Sequence, residues 1–586
     1  MKFIWSYMRK HLKSIILVML VKLSATGTEL LLPYILEHMV DDIAPQKDVR
    51  QILIWGFVMI ALAIIARFLN VGANRGSVRI ARKCIYKVRQ DLFTKSINLS
   101  GDQLDDIGLP SLISRMTSDS YNLQSFMQTV QTLAIRAPIL LFGGIFVTLT
   151  MDRGLAMVLI SLAPILLVAV VIISRKGIPL YDIVQTRLDS IVRIMRENIT
   201  GIRVIKALSK EDYEKRRFAD ANEQMNRSEI KASIVMSLPG PVISLFMNVG
   251  LTLVVLFGAF RVNKGVTQPG VILAFLSYFQ MILMGVLILN RFFLNMSKAN
   301  ASANRISSVI DRPDGLETIE DAPGTDKDGY IVFDDVSFSY GSIENARTEE
   351  DRAKFAGGQR EKTLYNINLQ IKKGGSLGII GATGSGKTTI INLLMRFYDP
   401  QEGHVYVDGK DVRSYDIDDL RRHFGVVFQN DAIFADTISE NISFGREVSE
   451  EAMKQAADSA MASEFIEGYD DRYQHEAAIH GANFSGGQKQ RLLITRALAA
   501  NPDILILDDS SSALDYKTDA QLRHNIADNL KDTTLVVVAQ RVSSIMGLDQ
   551  IMVLDEGRVI GLGTHEELLK STPQYREIFE TQMGEV

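Results

Sequence analysis

The 586-residue chain has a single cysteine, Cys84. One thiol cannot close an internal disulfide or build a Cys-rich zinc site, so neither device holds this protein together. Cys84 is read as a small, packed core residue. There is also no surplus of positive charge. The 64 Lys and Arg against 68 Asp and Glu leave a formal net charge of −4, which supplies no basic field and excludes nucleic acid as an expected partner. With 47 % hydrophobic and 23 % charged residues the chain is too apolar to be disordered. The last scarcity is local. After about Asp311 no apolar run of about 18 residues occurs, whereas several lie between Ile15 and about Met296. The average composition therefore hides two halves, one of membrane and one soluble.

Six spans are expected in the first half, at about Ser14–Leu36, Ile52–Asn70, Leu133–Met151, Leu155–Ile173, Val242–Phe260 and Val271–Phe293. An even number puts both ends on one side. Lys2, Arg9, Lys10 and Lys13 before the first span, and Arg/Lys-rich segments after spans two and four, make that side cytoplasmic. The first span is too long, and lacks a small-x-small cleavage site, for a signal peptide. In the segments 71–130 and 174–235 apolar residues such as Ile80, Ile85, Val88 and Leu92 keep helical spacing. The spans are thus expected to continue as long cytoplasmic hairpins reversing near Asp105–Ser114 and Ala207–Tyr213; about 20 further residues reach about 30 Å. Glu29 in span one and Arg136 in span three are costly in lipid, so each should face a cavity or a partner. Glu29 is the candidate for a substrate cavity, with a helix-to-helix ion pair as the other reading. For Arg136 the ion pair, or an end-of-span position, is preferred.

A polar, turn-rich linker is expected over 311–328, and the soluble domain over 329–586. Its first motif is Gly381-Ala382-Thr383-Gly384-Ser385-Gly386-Lys387-Thr388, followed by Thr389, which fits G-x-x-x-x-G-K-[ST] between a strand-like and a helical run. Such glycines let backbone N–H groups converge on phosphate oxygens. Lys387 would reach the β/γ-phosphates and Thr388 would ligate Mg²⁺. Ile504–Asp508 is an apolar strand ending in a carboxylate, the arrangement that holds Mg²⁺ beside a P-loop. Between them, Phe484-Ser485-Gly486-Gly487-Gln488 is a Gly-rich turn that opens a helix.

With these motifs the chain resembles an ATP-binding cassette half-transporter: an α-helical six-span domain, residues 1–310, with long cytoplasmic hairpins, followed by an α/β P-loop nucleotide-binding domain. The resemblance implies ATP and Mg²⁺ as ligands, with Tyr340 under the adenine, Gln429 near the Mg²⁺ and the hairpins, and a D-loop at Ser512-Ala513-Leu514-Asp515. It further implies that Ser485–Gln488 complete the site of a second subunit, since such domains pair head to tail around ATP.

Two positions depart from the family. Asp509 stands where a glutamate usually acts as general base, and its carboxylate sits on the order of 1 Å too far back. Gln540 stands where the switch histidine is expected, and a carboxamide can hydrogen-bond but cannot carry a proton. The loop Ala477–Gly481 also lacks the glutamate of related exporters. Together these resemble the degenerate-site subunit of a bacterial heterodimeric multidrug exporter. Its expected partners are a related half-transporter, membrane lipid, and a hydrophobic or amphipathic cargo, in the plasma or inner membrane with both termini and the nucleotide-binding domain cytoplasmic. A homodimeric lipid or peptide exporter with two active sites, and a nucleotide-gated channel or regulatory scaffold, are the alternatives. The charged stretch 341–363 is expected as a solvated loop or small helix.

Overall fold

The computed structural model describes residues 1–313, 315–320, 322–341, 362–510 and 513–584. The expected charged insertion therefore lies outside the described residues except at its ends, as does Ser512 of the expected D-loop. The chain divides into two units, one of residues 1–96 and 110–312, the other of residues 97–109 and 313–586.

The first unit contains, among the described residues, six helices long and apolar enough to cross a membrane. A short helix, α1 (Lys2–Arg9), precedes them. Then come α2 (Leu12–His38), α3 (Val49–Ile97), α4 (Ser120–Pro138, continued through Met151), α5 (Arg153–Thr200), α6 with α7 (Glu211–Ser237 and Pro239–Asn263), and α8 (Pro269–Ile310). The helices do run past the membrane: α3 has 49 residues and α5 has 48, against about 20 needed to span. Cys84 is buried on α3 with Ile80, Ile85, Val88 and Leu92. The second reversal falls near Leu208–Lys210 as expected, with Ser209 at φ +51°. The first lies closer to the N-terminus than expected. Ser100 caps a helix over Gly101–Ile107 through a reciprocal capping box with Gln103, and Gly108 ends it at φ +74°. This tip, expected with the membrane half, belongs by its contacts to the second unit.

Glu29 and Arg136 find each other. Arg136 Nη2 lies 3.1 Å from Glu29 Oε2, and Asn70 Nδ2 donates to Glu29 Oε1 at 2.7 Å. Lys22, a span-one cation that the sequence reading passed over, is buried and donates to Asn70 and Asn74.

The second unit carries two sheets. A four-stranded antiparallel sheet has the order β2 (Leu364–Ile371), β1 (Ile331–Phe338), β4 (Glu402–Val407), β5 (Lys410–Asp411). The second sheet runs β10 (Arg558–Gly563), β9 (Gln550–Asp555), β3 (Ser376–Gly381), β8 (Thr534–Val538), β7 (Ile504–Asp508), β6 (Phe424–Val427); all but the edge strand β10 are parallel. A parallel sheet is covered on both faces, so its strands read as unbroken apolar runs. Accordingly Ile504, Ile506, Val536 and Val538 enter one core cluster while Leu505, Leu507 and Val537 enter another.

Candidate nucleotide site

Strand order assembles the site. β3 lies beside β8 and β8 beside β7, so the carboxyl ends of three strands distant in sequence open into one crevice, where α/β sheets bind ligands. From β3 the chain passes through the P-loop into helix α9 (Lys387–Leu394). Gly386 begins that helix at φ +100°, a conformation that only glycine adopts without strain. Gly381 is required by space: a Cβ there would lie 2.1 Å from the Leu554 carbonyl oxygen.

A cavity of about 290 Å³ is lined by the P-loop residues Thr383, Gly384, Gly386, Lys387 and Thr388, with Thr389, Tyr340, Gln429, Asp508, Asp509 and Gln540. Lys387 Nζ donates to the carbonyls of Gly381 (2.9 Å) and Ala382 (2.8 Å). Burial pulls its ammonium down, and Asp508 and Asp509 oppose this. Thr388 Oγ1 donates to Asp508 Oδ2 at 3.0 Å. Burial pushes the Asp508 carboxyl up; the neighbouring Asp509 adds to that, while Thr388 and Lys387 counter it. Ser385 Oγ is buried without a hydrogen-bond partner among the described residues.

Asp509 sits one residue past β7 at φ +51°, its N–H on the Val538 carbonyl. Its Oδ2 accepts from Gln540 Nε2 at 2.8 Å and from Gln429 Nε2 at 3.4 Å. The two family departures are therefore in direct contact. Gln540 is anchored in turn by Gln582, which donates to its carbonyl and accepts from Val542 N–H; 42 residues of separation hid this partner from sequence reading. Tyr340 donates from its hydroxyl to Thr389 Oγ1 (3.2 Å) and accepts from Asn392 Nδ2 (3.0 Å). Asn392 was missed too, although its i,i+3 spacing from Thr389 puts both on one helix face. The Tyr340 ring stands edge-on to Tyr398 at 5.1 Å, and Tyr398 Oη donates to Asp105 Oδ2 (2.8 Å) on the hairpin tip.

None of Ser485, Gly486, Gly487 or Gln488 lines this cavity. They open α10 (Gly486–Leu498) with a reciprocal capping box: Ser485 N–H donates to Gln488 Oε1 at 2.8 Å and Gln488 N–H to Ser485 Oγ at 3.3 Å. A Cβ on Gly486 would meet Ala513 at 3.4 Å, ordinary contact, so the fold of this chain alone does not require glycine there. Asp515 caps α11 (Tyr516–Asn529), and its bonds from Thr518 hold its carboxyl below the usual carboxylate range.

A P-loop crevice on one unit and six membrane helices on the other define a membrane-bound ATPase. Residues 15–287 match the ABC transporter transmembrane region and residues 364–512 the ABC transporter domain. The uncharacterized ABC transporter ATP-binding protein YfiB of Bacillus subtilis is 33 % identical over 97 % of this chain and 96 % of its own. Rv1273c of Mycobacterium tuberculosis, described in the same words, is 32 % identical over 98 % and 97 %. The fold matches a solved bacterial Atm1-family ABC exporter with ATP bound, TM-score 0.79 at 22 % identity, over 99 % of both chains. The chain belongs to the ABC transporters: it is a multi-pass, ATP-hydrolysing half-transporter with a cytoplasmic nucleotide-binding domain and the fold of an ABC exporter.

Proposed function

We propose that this chain is one subunit of a heterodimeric, ATP-driven exporter of hydrophobic or amphipathic compounds, and that its own P-loop site hydrolyses ATP weakly. The observation that carries the proposal is Asp509. At the base position it is one methylene short, and both neighbouring side chains on its Oδ2, Gln540 and Gln429, are carboxamides that cannot relay a proton.

Binding is supported by the rest of the site. The P-loop N–H groups and Lys387 hold the phosphates and Tyr340 carries the base. The donor set also fits Mg²⁺, which favours one or two carboxylates plus substrate phosphates: Asp508 and Thr388 would hold it, and it would neutralise developing phosphate charge. The signature turn, which does not line the chain's own cavity, offers the N–H groups of a helix start to a nucleotide on the partner. One site per pair is then weak and the other competent, completed by Ser485–Gln488. Closure of the nucleotide domains reaches the membrane helices through hairpin tips such as Gly101–Ile107, whose Asp105 contacts Tyr398 beside Tyr340.

The test is ATPase of the full-length chain purified alone and with the half-transporter that co-purifies from native membrane. Turnover by the pair and little by the chain alone supports the proposal. Substantial turnover by the chain alone favours the homodimeric exporter.

A further inference from the structure

At the cytoplasmic end of the first hairpin, α2 and α3 part to leave a groove of about 530 Å³, within the range of ligand clefts. Each wall is one helix face. On α2 it runs from His11 through Leu17 and Val18 to Val21, and on α3 from Gly72 through Gly76 to Arg79 and Lys83, both at three- and four-residue steps. Gly72 leaves its part of the α3 wall open, since a Cβ there would meet nothing within 4 Å, whereas Gly76 lets Val18 pack against α3, a Cβ there lying 2.7 Å from Val18 Cγ2.

Its chemistry is graded. The two helices run antiparallel, so His11 at the start of α2 lies at the same end as Arg79 and Lys83, and the far end is apolar. No carboxylate lines the groove, and among the described residues these three side chains have no hydrogen bond or ion pair. From His11 to Val21 is ten residues, about 15 Å of helix, or half the roughly 30 Å hydrocarbon core. On α2 the groove enters the expected first span, Ser14–Leu36, and on α3 it lies just past the expected second span, Ile52–Asn70, so it sits at the cytoplasmic membrane surface, where anionic lipids collect.

We infer that this groove is a binding site for an anionic phospholipid of the cytoplasmic leaflet, with an acyl chain along Leu17, Val18 and Gly72 and the phosphate held by Arg79, Lys83 and His11. Charge complementarity selects the occupant. A lipid without net charge gains less from the two unpaired cations, Arg79 and Lys83, and an apolar helix of a partner would bury them without counter-charge.

The experiment uses the full chain with its co-purified partner, reconstituted in vesicles containing photoactivatable phosphatidylglycerol or the matching phosphatidylcholine, with labelled peptides mapped by mass spectrometry. Phosphatidylglycerol should label 11–21 and 72–83 in preference to phosphatidylcholine. Arg79→Gln/Lys83→Gln should cut that preference about 25-fold, the product of about fivefold for each basic residue at a membrane surface. Gly72→Leu, which projects a bulky side chain from a position whose Cβ meets nothing within 4 Å, should abolish labelling by both lipids, while Gly72→Ala should retain it. Intact assembly on gel filtration keeps each variant interpretable. Equal labelling by the two lipids, unchanged preference in the double variant, labelling indifferent to Gly72→Leu, or cross-linking of a cysteine at Leu17 to the partner in place of lipid labelling would each overturn the inference.

Discussion

Replacing Asp509 by asparagine in the assembled pair separates a weak site from a competent one. The perturbation is mild for the fold, because Asn keeps an oxygen to accept from Gln540 Nε2, whose own backbone is anchored by Gln582. The cost to catalysis depends on what Asp509 contributes. A carboxylate placed about 1 Å from its working position loses about 10²-fold, and a missing proton acceptor costs about 10²–10⁴-fold. If the site already runs at most about one hundredth as fast as its partner, it supplies at most about 1 % of the pair's turnover. Asp509→Asn should then leave steady-state ATPase of the reconstituted pair unchanged within error. Removing the equivalent carboxylate of the competent site should lower it about 10²–10⁴-fold, a barrier increase of roughly 3–5 kcal/mol. As a companion, Asp509→Glu with Gln540→His should add a second hydrolysing site, visible as product formed on this chain's own P-loop in a single-turnover assay. Abolition of turnover by Asp509→Asn alone would make this site the main engine and refute a weak site here.

Four further outcomes are expected. Lys387→Ala removes a charge facing the phosphates and should weaken ATP at this chain's own site about 10- to 100-fold by photolabelling; undiminished labelling would contradict the P-loop role. Gly486→Asp, bulky and negative at the helix start, should stop hydrolysis on the partner's nucleotide while ATP binding to the separated partner persists; retained turnover would refute completion in trans. In a Cys84→Ala background, cysteines at Lys47 and Lys264 should react with an impermeant maleimide from outside and one at Ser209 should not, and the opposite pattern would invert the topology. Glu29→Gln and Arg136→Gln should each lower the thermal midpoint, with a coupling of about 0.5–3 kcal/mol in the double variant because the two side chains form one ion pair; strictly additive effects would show that the contact is not energetically coupled.

The sequence by itself determined what local pattern and element length can encode. Apolar runs long enough to span lipid fixed six helices, because a backbone in hydrocarbon has few other ways to satisfy its hydrogen bonds. The P-loop glycines were legible because Gly386 curls the backbone at φ +100° and Gly381 leaves no room for a Cβ, which would lie 2.1 Å from the Leu554 carbonyl oxygen. Only the tertiary structure decided which distant groups meet. The order β3-β8-β7 brings Lys387, Asp508 and Gln540 to one crevice, and no spacing along the chain encodes that adjacency. The same holds for Gln582 behind Gln540, for Arg136 on Glu29, for the hairpin tip that joins the second unit, and for the groove between α2 and α3. Periodicity tells a residue which face of its own element it occupies. What that face touches is set by packing among elements, and that depends on the whole chain at once.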